Sequence, residues 1–361
     1  MLPICQKTLT PTKEHLNQIL FIMKLDIIVS SDDNYIQHLM GMLCSLYEHN
    51  KDHHIVLHML RNGKLLPKNE DYIKGITERY GHECRFYTVD ETPLQGVQFR
   101  KKRPLTMAAY YRLLLPNILT DLDKVLYLDC DMNVMGDISE LFELELDNYA
   151  LAACLDDMPH TNQHRLQLQM QVGERTFNTG MMMCNLKYWR DHNSVEEMIE
   201  YARRPKKEIL LHDQDVFNYQ FKGHWYLLAP KWNRLSHRTQ CINYPGYQDF
   251  DRNDYLHNPK IIHHFIKPWF DVYKPKKNLY LKYVKMSGYE PIVLKHVGIN
   301  ERIKIWGTNT LYFFKRYINP FVPNIVFLLF SDIKFILKFI YNLITKGKVT
   351  RRPRLFFYKA E

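Results

Sequence analysis

Lys124-Val125-Leu126-Tyr127-Leu128-Asp129-Cys130-Asp131 is an apolar run of strand length that ends at once in two carboxylates. Such a run reads as a buried strand of a parallel sheet, and it leaves Asp129 and Asp131 at the rim where open α/β sheets bind their ligands. Two carboxylates this close repel unless a cation sits between them. Oxygen ligands of this kind suit Mg²⁺ or Mn²⁺, ions that can also grip a diphosphate. Ordinary turn residues closing a strand spell the same Asp-x-Asp, so the flanking chain has to decide.

Upstream, Leu25-Asp26-Ile27-Ile28-Val29-Ser30 has the β-branched content of a first core strand and runs into Ser31-Asp32-Asp33-Asn34-Tyr35. Asp33 or Asn34 suits a cap for the helix that follows, residues 36–48, while Asp32 and Asn34 occupy the loop where a nucleotide would be held. Strands at 55–60 and 85–89 alternate with a helix at 68–80 closed by Gly81, an order that implies right-handed crossovers and a mostly parallel sheet covered on both faces. After the basic loop 100–104, Met107 to Pro116 reads as a helix by propensity and by its closing proline. Arg112, alone among its apolar residues, needs an anionic partner, either an acidic side chain or a substrate phosphate.

Downstream, the apolar strand 150–155 ends in Asp156-Asp157, so three strands deliver carboxylates (Asp32, Asp129, Asp156) toward one edge. Phe177-Asn178-Thr179-Gly180 is a polar turn opening an apolar strand whose methionines 181–183 are core filler. His212-Asp213-Gln214-Asp215 opens a helix, and capping explains one of its acids but not the cluster. Finally Ile261-Ile262-His263-His264-Phe265-Ile266-Lys267-Pro268-Trp269 brings two histidines and a lysine to a short strand, groups that suit a metal and a phosphate.

Composition narrows the class. The seven cysteines are scattered without zinc or disulfide spacing, which points to a reducing compartment. Residues 302–361 hold twelve Lys and Arg against two Asp and Glu, which accounts for the whole net charge of +10 and leaves the rest neutral. A uniformly basic nucleic-acid binder would not divide its charge this way. In the tail, Lys334, Lys338 and Asn342 recur among Phe335, Ile336, Leu337, Phe339, Ile340 and Tyr341. This pattern suits a helix lying on an anionic membrane surface and also a C-terminal helix packed on the body with a solvated face; the concentration of charge beside aromatics favours the membrane. The short apolar piece 19–23 lacks the features of a signal peptide, and Met23 is a candidate start.

Together these motifs resemble glycosyltransferase family 8, which includes glycogenin and the bacterial lipopolysaccharide galactosyl- and glucosyltransferases. The resemblance spans residues 25–269 and rests on Ser31-Asp32-Asp33-Asn34-Tyr35, Tyr110-Tyr111-Arg112, Leu126 to Asp131, Phe177 to Gly180 and Asp213 to Asp215. It implies one nucleotide-diphospho-sugar transferase domain of the GT-A type, α/β with a mostly parallel sheet, over residues 24–275. Residues 1–23 would be an extension, and 276–361 a helical, basic, membrane-associating tail.

The resemblance further implies that Asp129 and Asp131 bind Mn²⁺, or Mg²⁺, and that Asp32 and Asn34 hold the uridine end of UDP-galactose or UDP-glucose. Ser30 and Cys130, beside them, belong with the donor-binding set. Arg112, Asp156, Asn178 and Asp213 would contact the donor sugar, with Gln214 beside the reacting carbon and Asp213 a candidate nucleophile, and Lys267 would meet the β-phosphate. The family's last motif has a glycine and about two residues that this chain lacks. Alignment from Ile261-Ile262 makes His263 the third metal ligand, and alignment on Phe265 makes it His264.

The expected reaction is retaining, metal-dependent hexosyl transfer to a glycan or glycolipid such as a lipopolysaccharide core, at the cytoplasmic face of the inner membrane. A degenerate sugar-nucleotide-binding protein and a sugar-nucleotide nucleotidyltransferase are the rival readings; the latter wants a glycine-rich basic loop that residues 31–35 do not supply.

Overall fold

The first core strand, β1 (Lys24–Ser30), leads through a 3₁₀ turn into α1 (Ile36–His49), and β2 (His54–Arg61), α2 (Pro67–Arg79) and β3 (Glu83–Thr88) follow in the expected alternation. The chain continues through α3 (Leu115–Ile118), β4 (Lys124–Leu128), β5 (Met132–Val134), β6 (Leu151–Leu155), α4 (Asn162–Gln167) and β7 (Phe177–Asn185). Then come α5 (Leu186–Asp191), α6 (Ser194–Ala202), α7 (Asp213–Gln220), β8 (Trp225–Leu227), β9 (Arg234–Leu235), α8 (Arg252–His257), β10 (Ile261–His263) and α9 (Lys277–Ser287). This computed structural model describes residues 22–302 apart from 64, 98–106, 157–161, 172–173, 206–208, 236–249, 266, 273, 275 and 300–301. The basic loop 100–104, Asp157 and the amphipathic segment 334–342 lie outside the described residues.

Seven strands form the main sheet in the order β3-β2-β1-β4-β7-β6-β8. Only β7 runs against its neighbours: it is antiparallel to both β4 and β6, while β1 to β4, β1 to β2, β2 to β3 and β6 to β8 are parallel. The two faces are fed by alternate residues of each strand. Leu25, Ile27 and Val29 of β1, Leu126 and Leu128 of β4, and Met181 and Met183 of β7 pack with α1 and α2 on one side. Ile28, Val125, Tyr127, Met182 and Cys184 pack with α5, α6 and α7 on the other. This produces the three-layer α/β arrangement that the continuous apolar strands imply, and the methionines are core filler, each with no exposed surface.

Met107 to Pro116 departs from the helix read there. Met107–Leu114 is a 3₁₀ helix, and Pro116 sits in the first turn of α3 instead of closing a helix. Proline lacks the N–H that a first helical turn leaves unpaired anyway, so it starts a turn as readily as it ends one.

Two compact units divide the chain, residues 1–296 and 297–361. The first therefore extends past residue 275 and takes in α9, whose Tyr283 joins the core beneath α1. A Cβ added at Gly41 of α1 would lie 2.8 Å from Val284 Cγ2, so the missing side chain is what admits α9. Among the described residues no helix is long and apolar enough to cross a membrane.

Candidate active site

Parallel pairing of β1 and β4 brings their C-terminal ends together, and the chain leaves β4 at Asp129 with its N–H bonded to Gly180 O at 2.8 Å. A second sheet, in the order β5-β10-β9, crosses this exit. β5 begins one residue after Asp131, and its antiparallel register sets Met132 opposite His263. Because side chains alternate along a strand, His263 and His264 must face opposite ways. Asp129, Asp131 and His263 converge, each offering a ligand atom, with those atoms within 4.8 Å of one another. His264 is fully buried with Nε2 2.7 Å from Asn133 Oδ1, and burial lowers its pKa to about 3. The geometry thus brings His263, and not His264, to the carboxylates.

Gly180 makes this approach possible: a Cβ there would lie 2.5 Å from His263 Cε1, 2.9 Å from Met132 Cε and 3.0 Å from Asp129 Oδ2. Asp131 Oδ1 lies 3.4 Å from His263 Nε2, and its other oxygen pairs with the Lys267 ammonium. Burial pushes the Asp131 carboxyl up, Lys267 and His263 pull it down, and the net shift is well below the usual carboxylate range.

Arg112, 5% exposed, occupies the far side. Its Nη2 lies 3.2 Å from Asp129 Oδ1 and 3.3 Å from Asp213 Oδ2, Nη1 donates to Thr179 O at 2.8 Å, and the guanidinium stands 4.3 Å over the Tyr127 ring. The acidic-partner alternative for Arg112 is therefore realised, inside the site. Tyr127, whose hydroxyl donates to Asp129 Oδ1 at 2.9 Å, has no mark in the sequence beyond its place two residues before Asp129. Burial raises Asp213 to about 6, against the lowering by Arg112 and with Asp129 adding repulsion.

Asp213 and Gln214 open α7, launched by His212 in a left-handed backbone conformation (φ 57°) that strains a non-glycine residue. Gln214 is held at both ends: Nε2 donates to Asp156 Oδ2 at 2.8 Å and Oε1 accepts from Asn178 Nδ2 at 3.2 Å. Asp215, the remaining acid of the cluster, faces away and accepts from Leu210 N, Leu211 N and His164 Nε2. Asn233 also belongs to the site, with Nδ2 2.8 Å from Asn178 Oδ1 and Oδ1 3.2 Å from His263 Nδ1. An isolated asparagine between Trp232 and Arg234 carries no sequence signal that could have found it.

The β1 exit holds the remaining candidates. Asp32, and neither Asp33 nor Asn34, caps the turn before α1, accepting from Asn34 N at 2.9 Å. Asp33 ties Leu66 N and Asn69 Nδ2 instead, because its carboxylate points back toward the start of α2. Asn34 is exposed. Ser30 Oγ donates to Ala108 O at 2.7 Å, and Cys130 Sγ donates to Ser30 O at 3.2 Å, its thiol pushed up mainly by burial.

The residues at this edge fit a divalent cation: two carboxylates and one imidazole nitrogen converge where a glycine leaves room, and the charges around Asp131 hold it ionised. Several known proteins are similar to this chain in sequence or in fold. General stress protein A of Bacillus subtilis is 29% identical over 282 residues, covering 74% of this chain and 96% of its own. The lipopolysaccharide 1,2-glucosyltransferase of Escherichia coli is 27% identical over 253 residues, 66% of this chain and 71% of the relative. Some relatives are longer: the chain spans 58% of the Streptococcus pneumoniae glycosyltransferase GlyF. The galactosyltransferase LgtC, solved with donor and acceptor sugar analogues, superposes with a TM-score of 0.65 at 25% identity, over 78% of this chain and 100% of that one. The sequence profile of glycosyl transferase family 8 matches residues 26–272, more than half of the chain, and the chain belongs to that family.

Proposed function

We propose that the protein transfers a hexose, galactose or glucose, from a UDP-sugar to a glycan acceptor, with retention at the anomeric carbon and with Mn²⁺ as the resident cation. The convergence of Asp129, Asp131 and His263, with the tethered Gln214 linked to it through Asn178 and Asn233, carries this reading, because a cation held there would bind a diphosphate while Gln214 met the attached sugar. Asp129, Asp131 and the Nε2 of His263 would hold the ion. The chemistry supplied by the bound ion is Lewis-acid stabilisation of the charge that grows on the departing UDP.

The chain's own groups do the rest. Lys267 and Arg112 add positive charge at the same edge, and Lys267, less deeply enclosed, is the one assigned to the β-phosphate. Gln214 does not ionise and so cannot be a base. Held between Asp156 and Asn178, it keeps one geometry against the reacting carbon and limits the orientations open to the sugar. Asp213, tied to Arg112, is assigned a contact with the donor sugar. Asp32 and Asn34 are assigned the uridine end.

The name of one relative, a lipopolysaccharide 1,2-glucosyltransferase, supports a lipopolysaccharide-like acceptor. The basic, aromatic tail supports an anionic membrane surface on the cytoplasmic side as the place of work. Deleting residues 310–361 should then move the protein from the membrane to the soluble fraction, and unchanged membrane recovery would contradict the assignment.

Hydrolysis of UDP-galactose and UDP-glucose, each with and without Mn²⁺, tests the activity. One donor should turn over only with metal, and Asp131→Ala should abolish it. Binding of UDP with neither donor consumed would favour the degenerate binding protein instead.

A further inference from the structure

A chain of hydrogen bonds connects the metal-facing edge to the sugar-facing edge, and each link has a direction. Asp156 Oδ2 can only accept, so the amide end of Gln214 facing it is Nε2, at 2.8 Å. Gln214 Oε1 must then accept, and Asn178 Nδ2 donates to it at 3.2 Å. Asn178 Oδ1 in turn accepts twice, from Gly180 N at 3.1 Å and from Asn233 Nδ2 at 2.8 Å. With its amide nitrogen committed, Asn233 presents Oδ1 to His263 Nδ1 at 3.2 Å, and that ring nitrogen must carry the proton. The remaining nitrogen, Nε2, faces Asp131 at 3.4 Å and is the one left to meet a cation held beside that carboxylate. Asn233 is 7% exposed and stands immediately before β9, which pairs with β10, so the sheet that carries His263 also carries its partner.

We propose that Asn233 is a positioning residue that sets the tautomer of His263 and couples the cation site to the orientation of Gln214. This rests on the metal-site reading above. A second partner that fixes the ring of a metal-binding histidine is worth about 10- to 100-fold in metal affinity or activity. Asn233 differs from a simple second partner because its two ends serve two subsites: the carbonyl serves the cation and the amide serves the sugar.

Two substitutions separate those ends. Asn233→Ala removes both, and Mn²⁺ affinity measured by calorimetry on the full chain should fall about 10- to 100-fold. Asn233→Asp keeps an acceptor for His263 Nδ1–H but offers no donor to Asn178. Its Mn²⁺ affinity should stay near wild type while kcat for the UDP-sugar falls by roughly 10-fold or more. Imidazole ¹⁵N shifts should show His263 protonated at Nδ1 in wild type and in Asn233→Asp, and a mixture of tautomers in Asn233→Ala.

Wild-type Mn²⁺ affinity in Asn233→Ala, or equal losses of affinity and kcat in Asn233→Asp, overturns the proposal. If Asn233→Ala does not fold, the split in Asn233→Asp decides alone. Failure of the underlying reading looks different: wild type itself would bind no Mn²⁺, and the proposal would fall with it.

Discussion

Gly180→Ala should damage cation binding far more than it damages the fold. The new methyl would lie 2.5 Å from His263 Cε1 and 3.0 Å from Asp129 Oδ2, where ordinary contact begins near 3.4 Å, so one side chain has to move by close to an ångström. Without a cation, His263 can swing aside and the variant should unfold at nearly the wild-type temperature. With a cation the ring must return, and the overpacking of about 1–3 kcal/mol then appears as lost affinity. At about 1.4 kcal/mol per decade, the dissociation constant for Mn²⁺ should rise by roughly 5- to 150-fold. Calorimetric titration of wild type and Gly180→Ala with MnCl₂ in the presence of UDP, beside metal-free melts, makes the comparison. A dissociation constant within twofold of wild type would refute the argument, as would a loss of metal-free stability large enough to explain the change.

Arg112→Ala should strand the buried Asp213 carboxylate without its cation and leave the half-buried Asp129 only the Tyr127 hydroxyl, destabilising the protein by about 3–5 kcal/mol in urea unfolding, more than a surface ion pair would cost. Burial lowers His38 and His264 to about 3, below an unfolded value near 6.5. Their contribution is therefore present above about pH 6.5 and is lost as pH falls toward 3, roughly 2 kcal/mol for each at pH 5. Urea midpoints measured from pH 7 to 5 should drop, with a shallower drop in His38→Gln; identical slopes would contradict the assignment. Gly41→Ala should destabilise by about 1–3 kcal/mol through the 2.8 Å contact with Val284, and Val284→Ala should restore much of the loss in a double-mutant cycle read by urea unfolding.

Local patterns account for what could be read from the chain alone. An apolar run ending in Asp129-Cys130-Asp131 marks a parallel strand at a sheet's ligand-binding rim because the physics of burial and the chemistry of the exit act within eight consecutive residues. Arg112 was visible for the same reason, since a charge in an apolar stretch announces its need for partners. His263 and His264 could not be told apart that way: only the register between β5 and β10, set by residues 132–134 and 261–263, decides which one faces the carboxylates. The 3₁₀ path of Met107–Leu114 was hidden because its residues favour an α-helix, and the tertiary contacts of Tyr110, Tyr111 and Arg112 override that preference. Asn233 was invisible altogether, as its importance lies in what stands on either side of it in space.

Crystals soaked with UDP and MnCl₂ and measured at the manganese absorption edge test the central claim most directly. The account predicts one anomalous peak coordinated by Asp129, Asp131 and the Nε2 of His263, with the diphosphate on its open side and Lys267 released from Asp131. A peak at His264, or UDP held at this edge without a peak beside Asp129 and Asp131, would contradict it.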